Sequence, residues 1–176
     1  MSFLAGVQRV HGVLVRALEL VLVALFVLLT LDVLWGVFSR YVLGAQSRWT
    51  EELAIYSLVW ISLLGASVTY GENGHLGVDY FANKLEPSAR RVAAISVEIL
   101  VGFFAAFALV YGGWVLVTKT LESGQVAPSL NIKTGYLYLA VPISGVFFLT
   151  FCIEHLARLF AGEPPPSESA ETIVDV

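Results

Sequence analysis

Four long stretches of the chain are nearly free of charge and lack the strict polar and apolar alternation of a half-buried strand. They run from Val13 to Phe38, Thr50 to Tyr70, Val92 to Val117 and Gly135 to Phe160. A helix needs roughly 20 apolar residues to cross a bilayer, and outside a closed barrel it is the only way to satisfy a backbone in lipid. Each stretch is therefore expected to be a transmembrane helix, and the short polar connections favour antiparallel neighbours. The segment from His75 to Leu85 has a different pattern. At 100° per residue Val78, Phe81, Ala82 and Leu85 share one face, while Asp79, Asn83 and Lys84 point elsewhere. That predicts a short amphipathic helix lying flat in the membrane interface. The expected fold class is all-α: four transmembrane helices plus a short interfacial helix between the second and third, together filling residues 1–161. In residues 162–176, Glu163, Glu168, Glu171 and Asp175 sit among prolines and serines. This acidic tail has too little apolar surface to offset its ordering entropy and is expected to be disordered. The first stretch exceeds a signal-peptide core and has no small-residue cleavage site after it, so it is expected to be retained.

Composition narrows the function. The chain is 57% hydrophobic and 14% charged, against about 25% charged in soluble domains, and its mean hydropathy is +0.79. The net charge of -4 comes largely from the carboxyl end. No basic patch points to nucleic acid. The single cysteine, Cys152, excludes an internal disulfide and reads as a small apolar filler, and no Cys and His spacing resembles a zinc or iron–sulfur site. No nucleophile with a base, phosphate-cradling glycine loop or other catalytic motif occurs, so no enzyme and no cofactor is expected.

Orientation follows from the basic residues near the helix ends. With the amino end in the cytoplasm, that side carries Arg9, Arg16, Lys84, Arg90, Arg91 and Arg158, against Arg40, Arg48, Lys119 and Lys133 opposite. Trp35, Tyr41, Trp49, Trp114, Tyr136 and Tyr138 then form an aromatic belt at the outer interface. Both termini are expected inside.

Ionisable groups inside a span matter because a charge at the bilayer centre costs at least about 2.5–3.5 kcal/mol. Arg16, Glu19, Glu98, Glu154 and His155 lie near predicted inner ends, where they can snorkel or pair. Asp32 is deeper and is expected to have a partner; Arg40 lies two turns further on. Charges this sparse form no relay across the membrane. Thr50 is placed to cap the second helix, with Glu51 and Glu52 in its first turn. On that helix Trp49, Glu52, Tyr56 and Trp60 share one face, while Glu51, Ser62, Gly65, Ala66 and Thr69 fall on another that is small and polar. Such faces let helices approach closely in lipid. The third stretch repeats the device in Ala94, Gly102, Ala105, Ala106 and Gly112. In the fourth, Pro142 predicts a kink between Pro142 and Gly145. His75 and Asp79, four residues apart, can touch on the interfacial helix.

Arg40-Tyr-Val-Leu, Trp49-Thr-Glu-Glu-Leu, Leu64-Gly-Ala, Gly74-His-Leu-Gly-Val-Asp and a Tyr-Leu-Ala-Val-Pro ending at Pro142 occur in that order. This series, from about Asp32 to Pro142, resembles the small, Q-type membrane subunit of tripartite ATP-independent periplasmic (TRAP) transporters. Gly77 departs from it, following His75-Leu76 where the family often has a polar or basic residue. The resemblance implies a secondary, sodium-gradient-driven transporter of organic acids in the bacterial inner membrane. A periplasmic binding protein captures the cargo, a large M-type membrane subunit moves it, and the small subunit buttresses the scaffold of the large one and helps the binding protein dock. On that reading Arg40, Arg48, Trp49, Glu51 and Glu52 are candidates for partner contact or docking. Ser62, Gly65, Ala66, Thr69, Gly102 and Ala106 are candidates for packing on the large subunit, and His75 and Asp79 fix the interfacial helix. The alternative is the membrane anchor of a respiratory enzyme binding haem or quinone, prompted by His11, His75 and His155 mapping to one side. A small self-sufficient channel is a third reading.

Overall fold

The computed structural model describes residues 2–45, 47–72 and 87–161. Helix α1 spans Ser2–Tyr41 and α2 Arg48–Gly71; α3 covers Pro87–Phe104 and runs through a π-helical stretch, Ala105–Gly112, into α4, Gly113–Glu122. A short α5, Gly135–Tyr138, precedes α6, Ala140–Phe160. Four helical segments are long and apolar enough to cross a membrane: His11–Tyr41, Arg48–Gly71, Arg91–Glu122 and Gly135–Phe160. The described residues are all-helical, with these four candidate spans. The interfacial segment, with His75 and Asp79, and the tail from residue 162 lie outside the described residues.

The α1 residues that face inward are Val15, Leu18, Leu22, Leu25, Leu29, Asp32, Gly36 and Ser39, all buried or half-buried, at alternating steps of three and four. On α2 the same rhythm runs through Thr50, Leu53, Ser57, Trp60, Leu64, Ser67 and Gly71. Ser67 and Gly71 meet α6, at the Ser144 carbonyl and Phe151; as far as Leu64 the two 3.5-residue repeats form the seam of an antiparallel pair. At the Arg48 end the seam closes on Gly36, where a Cβ would lie 3.2 Å from the Thr50 hydroxyl, and toward the other end Leu22 packs beside Gly65. This contact also decides what Thr50 does. The helix starts at Arg48 with Ser47 as its cap residue. Thr50, buried against α1, donates its hydroxyl to the Ser47 carbonyl at 2.7 Å instead of capping.

The extensive contacts run from α1 to α2, from α2 to α6, and from α6 to the α3–π–α4 span. Burial follows that order. In the most apolar window of each span, 28% of α2 and 33% of α6 residues are buried, against 6% for α1 and 11% for Arg91–Glu122. Two central helices are thus flanked by two that offer most of their surface to lipid or partners. The main apolar core lies toward the end where α1 begins, with Val15, Leu18, Leu64, Val68, Tyr70, Phe151 and Cys152 at its centre.

On the other side of α6 the backbones approach closely. A Cβ on Gly145 would lie 2.7 Å from Leu109 Cβ and one on Gly113 2.9 Å from Val141. The π stretch lies directly along this contact and supplies its Leu109 and Val110. The interruption of the last span falls at Leu139, between α5 and α6, and not at the predicted Pro142–Gly145. The reason is the position of the lost bond: proline lacks the amide that would pair four residues back, and its ring crowds that carbonyl, so the disturbance lands one turn earlier.

Candidate functional site

At the end where α1 meets α2, Arg40, Arg48, Trp49 and Glu51 are exposed and Glu52 is half-buried. Arg40 lies over the Tyr41 ring, 5.9 Å from its centroid. Glu52 has a defined structural use: its carboxylate accepts the backbone amides of Ser129, at 3.0 and 3.1 Å, and Leu130, at 3.0 Å. Those amides belong to the loop between α4 and α5. Inside it, Ala127 and Asn131 close a tight turn, with Ala127 N donating to Ile132 O at 2.8 Å and Asn131 N to Ala127 O at 2.9 Å. Asn131 supplies the left-handed residue, at φ 54°, a conformation its short polar side chain tolerates. Val126 and Lys133 pair across the turn. The loop was not singled out by sequence patterning. Its signal is Gly124 with a positive φ and Pro128-Ser129 among turn formers. Arg40, Arg48, Trp49, Glu51 and this loop thus share one end of the molecule, joined through Glu52.

Further along α2 the outward residues are small. Ser62, Ala66 and Thr69 are exposed and Gly65 is half-buried. Thr69 returns its hydroxyl to the Gly65 carbonyl of its own helix, 3.0 Å away. The small residues of the third span sit differently. A Cβ on Gly102 would lie 3.0 Å from Cys152 Sγ, Ala105 is fully buried and Ala106 half-buried. The close approach at Gly102 is to α6 of the same chain.

The opposite end holds a polar cluster that ties the helices together. Tyr70 donates its hydroxyl to Glu98 Oε2. His155 Nδ1 lies 3.2 Å from Glu98 Oε1, and Cys152 Sγ donates to the Glu98 carbonyl at 3.1 Å. Cys152 is therefore more than filler. A second group joins His11 Nδ1 to Glu154 Oε2 at 2.6 Å, with Arg158 on the other Glu154 oxygen. Arg91 donates to the Leu159 carbonyl at 2.9 Å. Glu98, Glu154 and His155, expected to snorkel or pair, pair across helices, because a desolvated polar group in lipid is costly unless bonded. His11 and His155 each bond a carboxyl through Nδ1. Asp32 differs: it is buried in the α1–α2 seam, and neither carboxyl oxygen has a hydrogen-bond partner. The partner expected for it is not found within the described residues, because Arg40 is turned outward onto Tyr41.

Among the described residues these groups tie helices together and hold one loop, and no cluster of His, Cys, Asp and Glu could hold a metal ion. The model of the DctQ component of tripartite ATP-independent periplasmic transporters matches residues 29–162. The chain belongs to this family. It is a small permease subunit of a TRAP transporter, with a non-enzymatic role. It is 26% identical over 152 residues to a Haemophilus influenzae protein named as a TRAP transporter small permease, covering 84% of this chain and 92% of the relative. It is 26% identical to the sialic acid TRAP transporter small permease protein SiaQ of Vibrio cholerae, over 80% of each chain. It is also 25% identical to the isethionate TRAP transporter permease protein DctMQ of Oleidesulfovibrio alaskensis, covering 74% of the small subunit but 20% of that longer protein.

Proposed function

We propose that the small subunit is a buttress in the bacterial inner membrane for the large transport subunit of a sodium-gradient-driven organic-acid transporter. It carries no cargo itself. Its partners are that large subunit and a periplasmic substrate-binding protein. The observation that carries the reading is the exposed face of Ser62, Ala66 and Thr69 on α2, one of the two central helices. Small residues left facing outward permit the close helix approach that drives association in lipid. Gly65 and Ala106 are assigned to the same contact, whereas Gly102, expected there too, packs on Cys152 of α6. A relative in which the matching segment is a fifth of one longer permease supports a partner held at fixed stoichiometry. Relatives named for sialic acid and C4-dicarboxylate support acids as cargo.

Arg40, Arg48, Trp49, Glu51 and the loop held by Glu52 form the surface proposed to receive the loaded binding protein. That places this end in the periplasm and both termini in the cytoplasm. His75 and Asp79 are proposed to fix the interfacial helix, and residues 162–176 to be a disordered tail. The test of the central contact is co-purification. Gly65→Leu and Ala66→Leu should each retain clearly less large subunit than the wild type at equal membrane insertion. An intact complex in both variants refutes the assignment.

A further inference from the structure

At the Arg48 end, the third and fourth spans share a unit of their own: α4, the loop after it and α5, from Gly113 to Tyr138. Helices α4 and α5 pack extensively on each other, and a Cβ on Gly135 would lie 2.5 Å from Leu121. The loop is bonded within itself, Thr134 N to Gln125 O at 3.0 Å and Ala127 N to Ile132 O at 2.8 Å. Both places where the chain joins this unit to the rest are irregular. On one side the π stretch ends at Gly112, and the Gly113 amide is shared between the Leu109 and Val110 carbonyls; two glycines in a row leave the backbone there without side chains to stiffen it. On the other side the helix is interrupted at Leu139, and Pro142 has no amide to give the Tyr138 carbonyl. The two irregularities touch: a Cβ on Gly113 would lie 2.9 Å from Val141 and 3.0 Å from Pro142. Helices bend at π-helical turns and at prolines, and hinges are a few residues at the ends of elements. A line through Gly113 and Pro142 is therefore an axis about which the unit can tilt, and the contact is kept because it lies on that axis. Away from the axis, Glu52 of α2 holds the unit by the Ser129 and Leu130 amides.

We propose that α4, its loop and α5 form a hinged cap, and that Glu52 is the latch that holds it against α2. The cap moves as one piece, because its loop and its two helices are bonded and packed to each other. A tilt of about 20°, the onset of a sharp helix bend, acting over the 10 residues of α4, about 15 Å, displaces the loop by about 5 Å. The hinge belongs to the backbone of this chain and does not depend on what docks on the loop.

The test uses the full-length subunit in lipid nanodiscs, spin-labelled at Gln125→Cys in the cap and Leu100→Cys on α3, both exposed positions. The distance between the labels is read by double electron–electron resonance. The wild type should give one narrow distribution, and Glu52→Ala should add a second population displaced by about 5 Å. In the Glu52→Ala background, Gly112→Ala or Pro142→Ala should each return most of that population to the first distance, because alanine stiffens one side of the axis. A Cβ on Gly112 meets the Phe107 carbonyl at an ordinary 3.4 Å, so that variant keeps the fold. Hydrogen exchange of Glu52→Ala should leave the Ala127 and Thr134 amides as protected as in the wild type while Ser129 and Leu130 lose protection. An unchanged single distance in Glu52→Ala overturns the proposal. So does a displacement that neither hinge substitution reduces, or lost protection at Ala127 and Thr134, which would make the change a local melting of the loop.

Discussion

Glu98 gathers Tyr70, His155 and Cys152 around one carboxyl group in an apolar surrounding, so its removal strands the partners it leaves behind. A buried donor or acceptor without its partner costs about 1–3 kcal/mol. Glu98→Ala should therefore lower the unfolding midpoint of the detergent-solubilised subunit. A double-mutant cycle between Tyr70→Phe and Glu98→Gln should show coupling of about 0.6–1.7 kcal/mol, the span found for hydrogen bonds within membranes; additive effects would deny the bond an energetic role. Asp32 predicts the opposite sign. Its carboxyl is buried with no hydrogen bond, so Asp32→Leu removes an unmet polar group and extends the apolar seam. Stabilisation by about 1 kcal/mol would raise the melting temperature by roughly 2–4 °C in a protein of this size. A fall in the midpoint would mean that Asp32 has a stabilising use in the subunit. Glu52 acts on its loop, not on global stability. In Glu52→Ala, the amides of Ser129 and Leu130 should exchange with solvent about tenfold faster, while the midpoint moves little. Uptake by the assembled transporter should fall as the loop loses its place.

At the scale of elements, the close contact of α6 with the π stretch is the feature most sensitive to volume. Gly145→Ala would place its Cβ 2.7 Å from Leu109 Cβ, and overpacking of this kind costs about 1–3 kcal/mol. A thermal midpoint equal to the wild type would show that the contact gives way easily. The spans were legible in the sequence because length and apolarity alone decide them. The small outward face of α2 was legible from its composition. The partners of Glu98 and Glu154 were not, since Tyr70 to Glu98 and His11 to Glu154 join residues far apart in the chain, and only the depth at which each helix sits brings them together. The displaced break at Leu139 has another origin: Pro142 marks the lost amide, whereas the chain yields at the carbonyl one turn before. The length of the third span, running on to Glu122, was hidden by Lys119 and Thr120, which end the apolar run but not the helix.

For the whole molecule, two half-buried central helices and two exposed flanking ones make a body with far more apolar side surface than core. Within a bilayer such a body is complete only against lipid and a neighbour. The proposed orientation predicts that Ser129→Cys reacts with a membrane-impermeant maleimide in intact cells, whereas Ala161→Cys reacts only after the cells are opened; the buried Cys152 leaves a low background. The reverse pattern would invert the topology. The central claim, that this subunit supports transport without conducting, is tested most directly by solute flux into vesicles. The vesicles hold the small subunit alone, the large subunit alone, or both, each with the binding protein outside and a sodium gradient imposed. Flux is predicted with both subunits present and none from the small subunit alone. Uptake by vesicles containing only the small subunit would contradict the account.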